Sequence, residues 1–271
     1  MRLYEGLNNR DVADWHKDLA LLTESLRLNT FPEILCETLG KIVNFQHSIF
    51  MTYKKGHAPI FLYDNYTPEQ RELTLNTYMK GIYVLDPFYT AITQNKPAGI
   101  YRLIELAPDS FEQSDYYQDY YKNLKLEDEI GVFLDLTDDV TLIVSLGRSS
   151  GLSSLTRGER NILSTVFPVI RSLTREFWRL QAGQYIEELN KANQVDCAIS
   201  SFGDGLLTER ELEIIGLMLR GHSSKSIASE LGITPGTVKV HRKNIYTRLK
   251  ISTQSQLFSQ FLNHLMINSE N

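Results

Sequence analysis

Two cysteines in 271 residues, Cys36 and Cys197, are too few for a disulfide framework and too far apart for a CxxC site, so both are expected to be reduced and structural. With 16 Gly and 8 Pro the chain is neither collagen-like nor Pro-rich. No stretch approaches about 18 uninterrupted apolar residues, and the start MRLYEGLNNRDVADWHKD has no apolar run of the secretory kind. A cytoplasmic protein with no membrane partner is the expectation. GxxxxGK[ST], HExxH, GxSxG and GxGxxG are all missing, and His16, His47 and His57 lack metal-ligand spacing. Neither catalysis nor a bound cofactor or metal is therefore expected.

What is present is enough apolar residue (42%) and charge (23%) for two globular units, each with its own core. The net charge of −5 is unevenly spread, at −8 over residues 1–205 and +3 over 206–271. That asymmetry points the tail toward a polyanion.

Apolar periodicity along 206–266 resolves into four short helices. Thr208 and Glu211 stand in capping-box spacing before TERELEIIGLMLRG, and Gly221 is a stop signal. Ser224 is expected to cap KSIASELG, and only Gly232 and Ile233 separate that helix from the next cap. Two helices joined by a tight turn containing Gly describe a helix-turn-helix. Thr234 as N-cap and Pro235 at N1 open the third helix. At about 100° per residue, Val238, Ile245 and Leu249 form one narrow apolar stripe. Lys239, Lys243 and Lys250 form a second about 120° away, beside Val240 and Thr247. From Thr234 to Lys250 there are basic residues and no acidic one. A one-sign stripe on a helix after a tight turn is the pattern of a major-groove reader. A fourth helix follows, capped by Ser252 or Thr253, with Leu257, Phe258, Phe261, Leu262 and Leu265 apolar.

On LTERELEII, SKSIASELGITPGTVKVHRKNIYTRL and the start of the last helix, this segment resembles the LuxR-type DNA-binding domain. Quorum-sensing regulators and one class of response regulators share that domain. The resemblance implies dimeric binding to a pseudo-palindromic double-stranded DNA operator, with base-edge contacts from Lys239, Val240 and Lys243. It implies flanking or backbone roles for Lys225, Thr234, Thr237, Arg242 and Asn244, and a structural role for His241.

Residues 1–155 mix helical patterns (11–27, 31–44, 68–80, 86–95) with strand patterns (47–55, 58–63, 129–137, 139–147). The last two strands meet across Thr137-Asp138-Asp139 as a hairpin. This is an α+β arrangement, an α/β/α sandwich such as the GAF, PAS or autoinducer-binding sensors. Twelve of the 14 tyrosines precede residue 122, and apolar area with a polar tip suits a pocket wall as well as a core. The segment YVLDPFYTAITQNKPAGIY resembles the autoinducer-binding segment of quorum-sensing regulators. On that resemblance Asp86 accepts a ligand amide, Tyr101 replaces a family Trp, and Gly131 lies near a family glycine. Leu73 stands where the family's lactone-binding Trp belongs, which argues against an acyl-homoserine lactone. The candidate ligand residues are Tyr63, Tyr66, Tyr78, Tyr83, Asp86 and Tyr101; Asp86-Pro87 equally fits a helix cap.

After Gly151 a long helical pattern carries Leu163, Val166, Ile170, Leu173, Phe177 and Leu180 as a heptad seam, with Pro168 expected to kink it. The seam suits either a dimer coil or packing on the sensor sheet. The expected organisation is a sensor over 1–155, a connecting helix over 156–193, a linker over 194–205 and the all-α four-helix tail over 206–271. The function these features imply is a homodimeric DNA-binding transcriptional regulator whose sensor takes a small molecule. The alternative is a ligand-independent regulator controlled through protein contacts. A phosphorylated receiver is excluded, because the acidic pair after the first strand and the aspartate ending the third are missing.

Overall fold

The computed structural model describes residues 9–54, 57–137, 139–149, 151–185, 201–203 and 205–269, with side chains between 12 and 265. Cys197, Asp138 and most of the expected linker lie outside the described residues.

The amino-terminal part is built on five antiparallel strands: β1 (His47–Lys54), β2 (Ile60–Asp64), β3 (Gly99–Arg102), β4 (Leu126–Asp135) and β5 (Val140–Ser149). They lie in the order β2-β1-β5-β4-β3. The expected β4–β5 hairpin is the centre of the sheet, with Glu129 opposite Gly147, Gly131 opposite Ser145 and Phe133 opposite Ile143. The sequence reading missed β3, because GIYR is too short to show alternation.

Period-two alternation sends successive side chains to opposite faces. On one face Phe50, Ile130, Val132, Leu134, Leu142, Val144 and Leu146 are buried. They meet α1 (Asn9–Ser25), α2 (Phe31–Gly40) and α7 (Arg157–Gln181), and Phe31 stacks on Phe177 at 4.6 Å between ring centroids. Cys36 sits in this core, and burial pushes its thiol up to about 12, the state of an inert structural cysteine. Thr156 and Glu159 form a capping box at the start of α7, which runs unbroken through exposed Pro168. Leu163, Ile170 and Phe177 face the sheet, so the seam is closed within the chain.

The second face is covered by short pieces: α3 (Pro68–Leu73), α4 (Leu75–Met79), α5 (Pro87–Thr93), α6 (Leu103–Leu106) and helical turns over 111–124. The helix expected over 68–80 breaks at Thr74 (φ −110°, ψ −72°). The sandwich is thus α/β/α, as expected.

The carboxyl-terminal part is all helical: α8 (Glu209–Leu219), α9 (Ser224–Glu230), α10 (Pro235–Leu249) and α11 (Gln254–Ser269). Thr208 and Thr234 cap as expected, whereas α9 is capped by Ser223 and not by Ser224, because the Ser223 hydroxyl accepts from the Ser226 amide at 3.1 Å. Of the two candidates before α11, Thr253 accepts the Gln256 amide. Gly221 and Gly232 hold φ of 93° and 64° at the ends of α8 and α9, a conformation that favours glycine. Ile214, Met218, Ile227, Val238, Ile245, Leu257, Phe258 and Phe261 make the core, each at most 2% exposed.

The two parts touch. Asp109 accepts from the Ser223 amide and hydroxyl (3.2 and 2.7 Å), Asp115 accepts from the Ser255 hydroxyl (2.8 Å), and Arg220 Nε donates to the Val84 carbonyl. Gly221 lies under Phe111 and Ser114, where a Cβ would come within 3.2 Å of the Phe111 backbone. No described helix is long and apolar enough to cross a membrane.

Candidate functional site

Two sites emerge, one on each part. On α10 the apolar stripe is buried at Val238 and Ile245, with Leu249 half-buried, which turns the opposite stripe outward. Lys239, Lys243 and Lys250 are exposed with Asn244 and Thr247, and Val240 is 59% exposed although a valine gains nothing from water. An exposed methyl pair between two lysines suits contact with a thymine methyl beside guanine acceptors. Thr234 and Thr237 are exposed in the N-terminal turn, their hydroxyls 2.9 Å apart, and Lys225 is exposed in the first turn of α9. Arg242 is placed differently from the lysines. Half-buried, it donates to Ser224 Oγ and Gln254 Oε1 at 3.2 and 3.3 Å, bracing α10 against α9 and α11. His241 is half-buried, away from the lysine stripe.

The second site is a small cavity between the sheet and the short helices, about 50 Å³ in volume. Its floor comes from alternate positions of three strands: His47, Ile49, Met51 and Tyr53 of β1, Glu129 of β4, and Ile143 and Ser145 of β5. Its lid is Tyr66, Tyr78, Asp86, Phe88, Tyr116, Tyr120 and Tyr121. Asp86 performs both tasks that the sequence left open. Oδ1 accepts from the Phe88 amide at 2.7 Å and caps α5, while Oδ2 accepts from the Tyr78 hydroxyl at 2.8 Å. Tyr78 has spent its one proton on Asp86, so the 2.9 Å contact between the Tyr53 and Tyr78 hydroxyls runs from Tyr53 to Tyr78. The result is a directed chain, Tyr53 to Tyr78 to Asp86.

Glu129 is the other carboxylate. It accepts from the Ser145 hydroxyl, its diagonal cross-strand neighbour, and it lines the cavity. Burial pushes Asp86 up to about 6, against the lowering pull of the Tyr78 and Phe88 bonds. Burial, with the Asp86 charge adding to it, pushes Glu129 up to about 7. Burial lowers His47 from its ordinary value.

Of the six candidate ligand residues, Tyr66, Tyr78 and Asp86 line the cavity together. Tyr83 is buried behind Tyr78 without reaching the space, Tyr63 faces the other side of the sheet beside Phe50, and Tyr101 on β3 donates to the Pro97 carbonyl. The sequence reading missed Glu129 and Ser145. Their signal was alternation: once β4 and β5 face inward at Phe133 and Ile143, Glu129 and Ser145 share that face. Gly131, between them, is required by space, since a Cβ there would lie 2.7 Å from Phe133 and 2.9 Å from Phe88.

Residues 205–260 match the sequence model for bacterial regulatory proteins of the luxR family. The chain is 35% identical over 187 residues to an HTH-type transcriptional regulator of the exeN 3' region of Aeromonas salmonicida, covering 67% of this chain and 95% of that protein. The transcriptional regulatory protein MctR of Rhizobium johnstonii is 45% identical over 62 residues, 23% of this chain and 29% of that protein. Among solved structures, the VqsR LBD domain of Pseudomonas aeruginosa superposes with a TM-score of 0.56 at 24% identity, covering 63% of this chain and 98% of that one, and it carries the same fold. The matched segment coincides with α8–α11, and the long relative spans most of the chain: this protein belongs to the luxR family of helix-turn-helix transcriptional regulators.

Proposed function

We propose that the chain is a receptor-regulator that binds a pseudo-palindromic operator as a homodimer, and that a small molecule in the tyrosine-lined cavity sets how its α10 helices are presented. One observation carries this reading. The helical turns over 111–124 wall the cavity with Tyr116, Tyr120 and Tyr121, and the same segment meets the DNA-reading part at Phe111 and Ser114, which close on Gly221 in the turn between α8 and α9, and at Asp115, which accepts from Ser255 of α11. A ligand that displaces the tyrosines moves the surface on which the DNA-reading part rests. Such a shift requires different ligand affinity in the two arrangements. The carboxylates bond to tyrosine and serine hydroxyls and to backbone, an arrangement for holding a molecule and not for turning it over.

The test is a cavity-filling substitution, Ser145→Phe, far from α10. Operator affinity by mobility shift is expected to change several-fold, as a 1 kcal/mol shift in a two-state equilibrium gives about fivefold. Native mass spectrometry of the parent protein is expected to show a retained molecule that the variant lacks. An unaltered operator affinity, with no retained molecule in the parent, would favour control through protein contacts instead.

A further inference from the structure

We infer that the cavity takes an organic cation, a small molecule whose protonated or quaternary amine sits between Asp86 and Glu129 among the tyrosine rings. The inference rests on reading the cavity as a ligand site and adds the class of ligand.

The first observation is how this chain treats its other buried carboxylates. Asp18 pairs with Lys41 (2.5 Å), Asp64 with Arg71 (2.8 Å), Asp128 with Arg102 (3.0 Å) and Glu211 with Arg248 (3.1 Å). Buried acids that stay ionised need a partner of opposite sign. Asp86, 7% exposed, and the half-buried Glu129 have no such partner: no Lys or Arg lines their cavity, and neither forms an ion pair with a described residue. His47 is the basic side chain on the wall, and burial lowers it, which disfavours its charged form.

The second observation is the wall. Tyr53, Tyr66, Tyr78, Tyr116, Tyr120 and Tyr121 surround the two carboxylates, with Tyr78 and Tyr116 packed 6.3 and 5.6 Å from Tyr120 between ring centroids. Aromatic faces carry negative potential and attract alkylammonium groups most strongly where water is excluded. Carboxylates that repel each other, set in an aromatic enclosure, favour a positive guest over any other. An anionic ligand meets two acidic groups and no countercharge. A neutral amide or lactone satisfies one acceptor and leaves the second carboxylate in place. Both carboxylates keep lone pairs beyond those used by their protein donors. The raised positions of both groups agree with this, since a bound cation would favour their ionised forms.

The test compares three probes of one shape and different charge: choline, 3,3-dimethylbutanol and 3,3-dimethylbutanoate, titrated calorimetrically into the full chain near neutral pH. Choline is expected to bind at least roughly tenfold more tightly than the alcohol, the equivalent of one ~1.4 kcal/mol interaction, and the anion is expected not to bind. Glu129→Gln, nearly isosteric, is expected to remove about that tenfold from choline and to leave the alcohol within about twofold. Asp86→Asn, which can still cap α5, is expected to act in the same direction and guards against a folding defect in the first variant. Alcohol binding equal to choline, or choline binding unaltered in Glu129→Gln, overturns the cation assignment while leaving a ligand cavity. If none of the three gives heat or raises the melting temperature, both the assignment and the cavity reading fail.

Discussion

Glu129 shows what a single position can commit. A carboxylate on the inward face of a central strand is held there by Ser145 and by the covalent alternation of β4, not by any benefit of its own charge. Its folded-state position is above the unfolded one, as is that of Asp86. Between about pH 4.5 and about pH 7 the folded chain therefore binds more protons than the unfolded chain, and stability falls as pH rises through that window. The titratable groups facing the pair are His47 and the tyrosines of the wall, with Asp128 next to Glu129 in the chain. Glu129→Gln removes one of the two titrations. Its unfolding free energy is expected to exceed the parent's by about 1–3 kcal/mol near pH 8 and to match it near pH 5, measured by urea denaturation. A variant less stable than the parent near pH 8 would refute this. Gly131 makes the opposite commitment, to space: Gly131→Val forces Phe88 and Phe133 apart and is expected to cost about 1–3 kcal/mol.

At the scale of the element, α10 was almost entirely legible in the sequence. Thr234, Pro235 and the two stripes are local signals, and a helix with one apolar stripe can dock in only one orientation. Lys239 and Lys225 are exposed on different helices, and they are expected to act differently. Lys239→Ala is expected to lose ~1–3 kcal/mol at one base pair and relax preference there, whereas Lys225→Ala weakens all sequences alike. A binding-site selection on both variants reads this directly, and an unchanged Lys239→Ala profile would remove the base contact. Arg242 was less legible. Its charge suits phosphate, but its bonds to Ser224 and Gln254 depend on two helices that approach it only in the folded domain. The seam of α7 was visible, but its partner was not: a three-four repeat specifies an apolar stripe and is silent on whether a second helix or a sheet covers it.

On the scale of the molecule, the surface between the two parts is polar at its edges, with Asp109–Ser223 and Asp115–Ser255 flanking the close approach at Gly221. Such an interface is suited to being shifted. The double substitution Asp109→Ala and Asp115→Ala removes three hydrogen bonds across it, each worth about 0.5–1.5 kcal/mol. The two parts are then expected to melt as two separate transitions in calorimetry, with the melting temperature of α8–α11 unchanged. Identical melting of variant and parent would mean that these bonds do not hold the parts together.

What the amino-acid sequence determined alone is whatever depends on residues a few positions apart: the caps, the turn between α9 and α10, the cationic stripe, the hairpin of β4 and β5, and the split of charge between the two halves. Hydrogen bonds and periodicities of that range are set before the chain closes on itself. Tertiary structure alone decided the composition of the cavity, since residues 47, 86, 116 and 129 meet only when the short helices cover one face of the sheet. It also decided which tyrosines line that cavity, because Tyr63, Tyr66, Tyr78, Tyr83 and Tyr101 carry the same chemistry and differ only in the face to which the fold turns them.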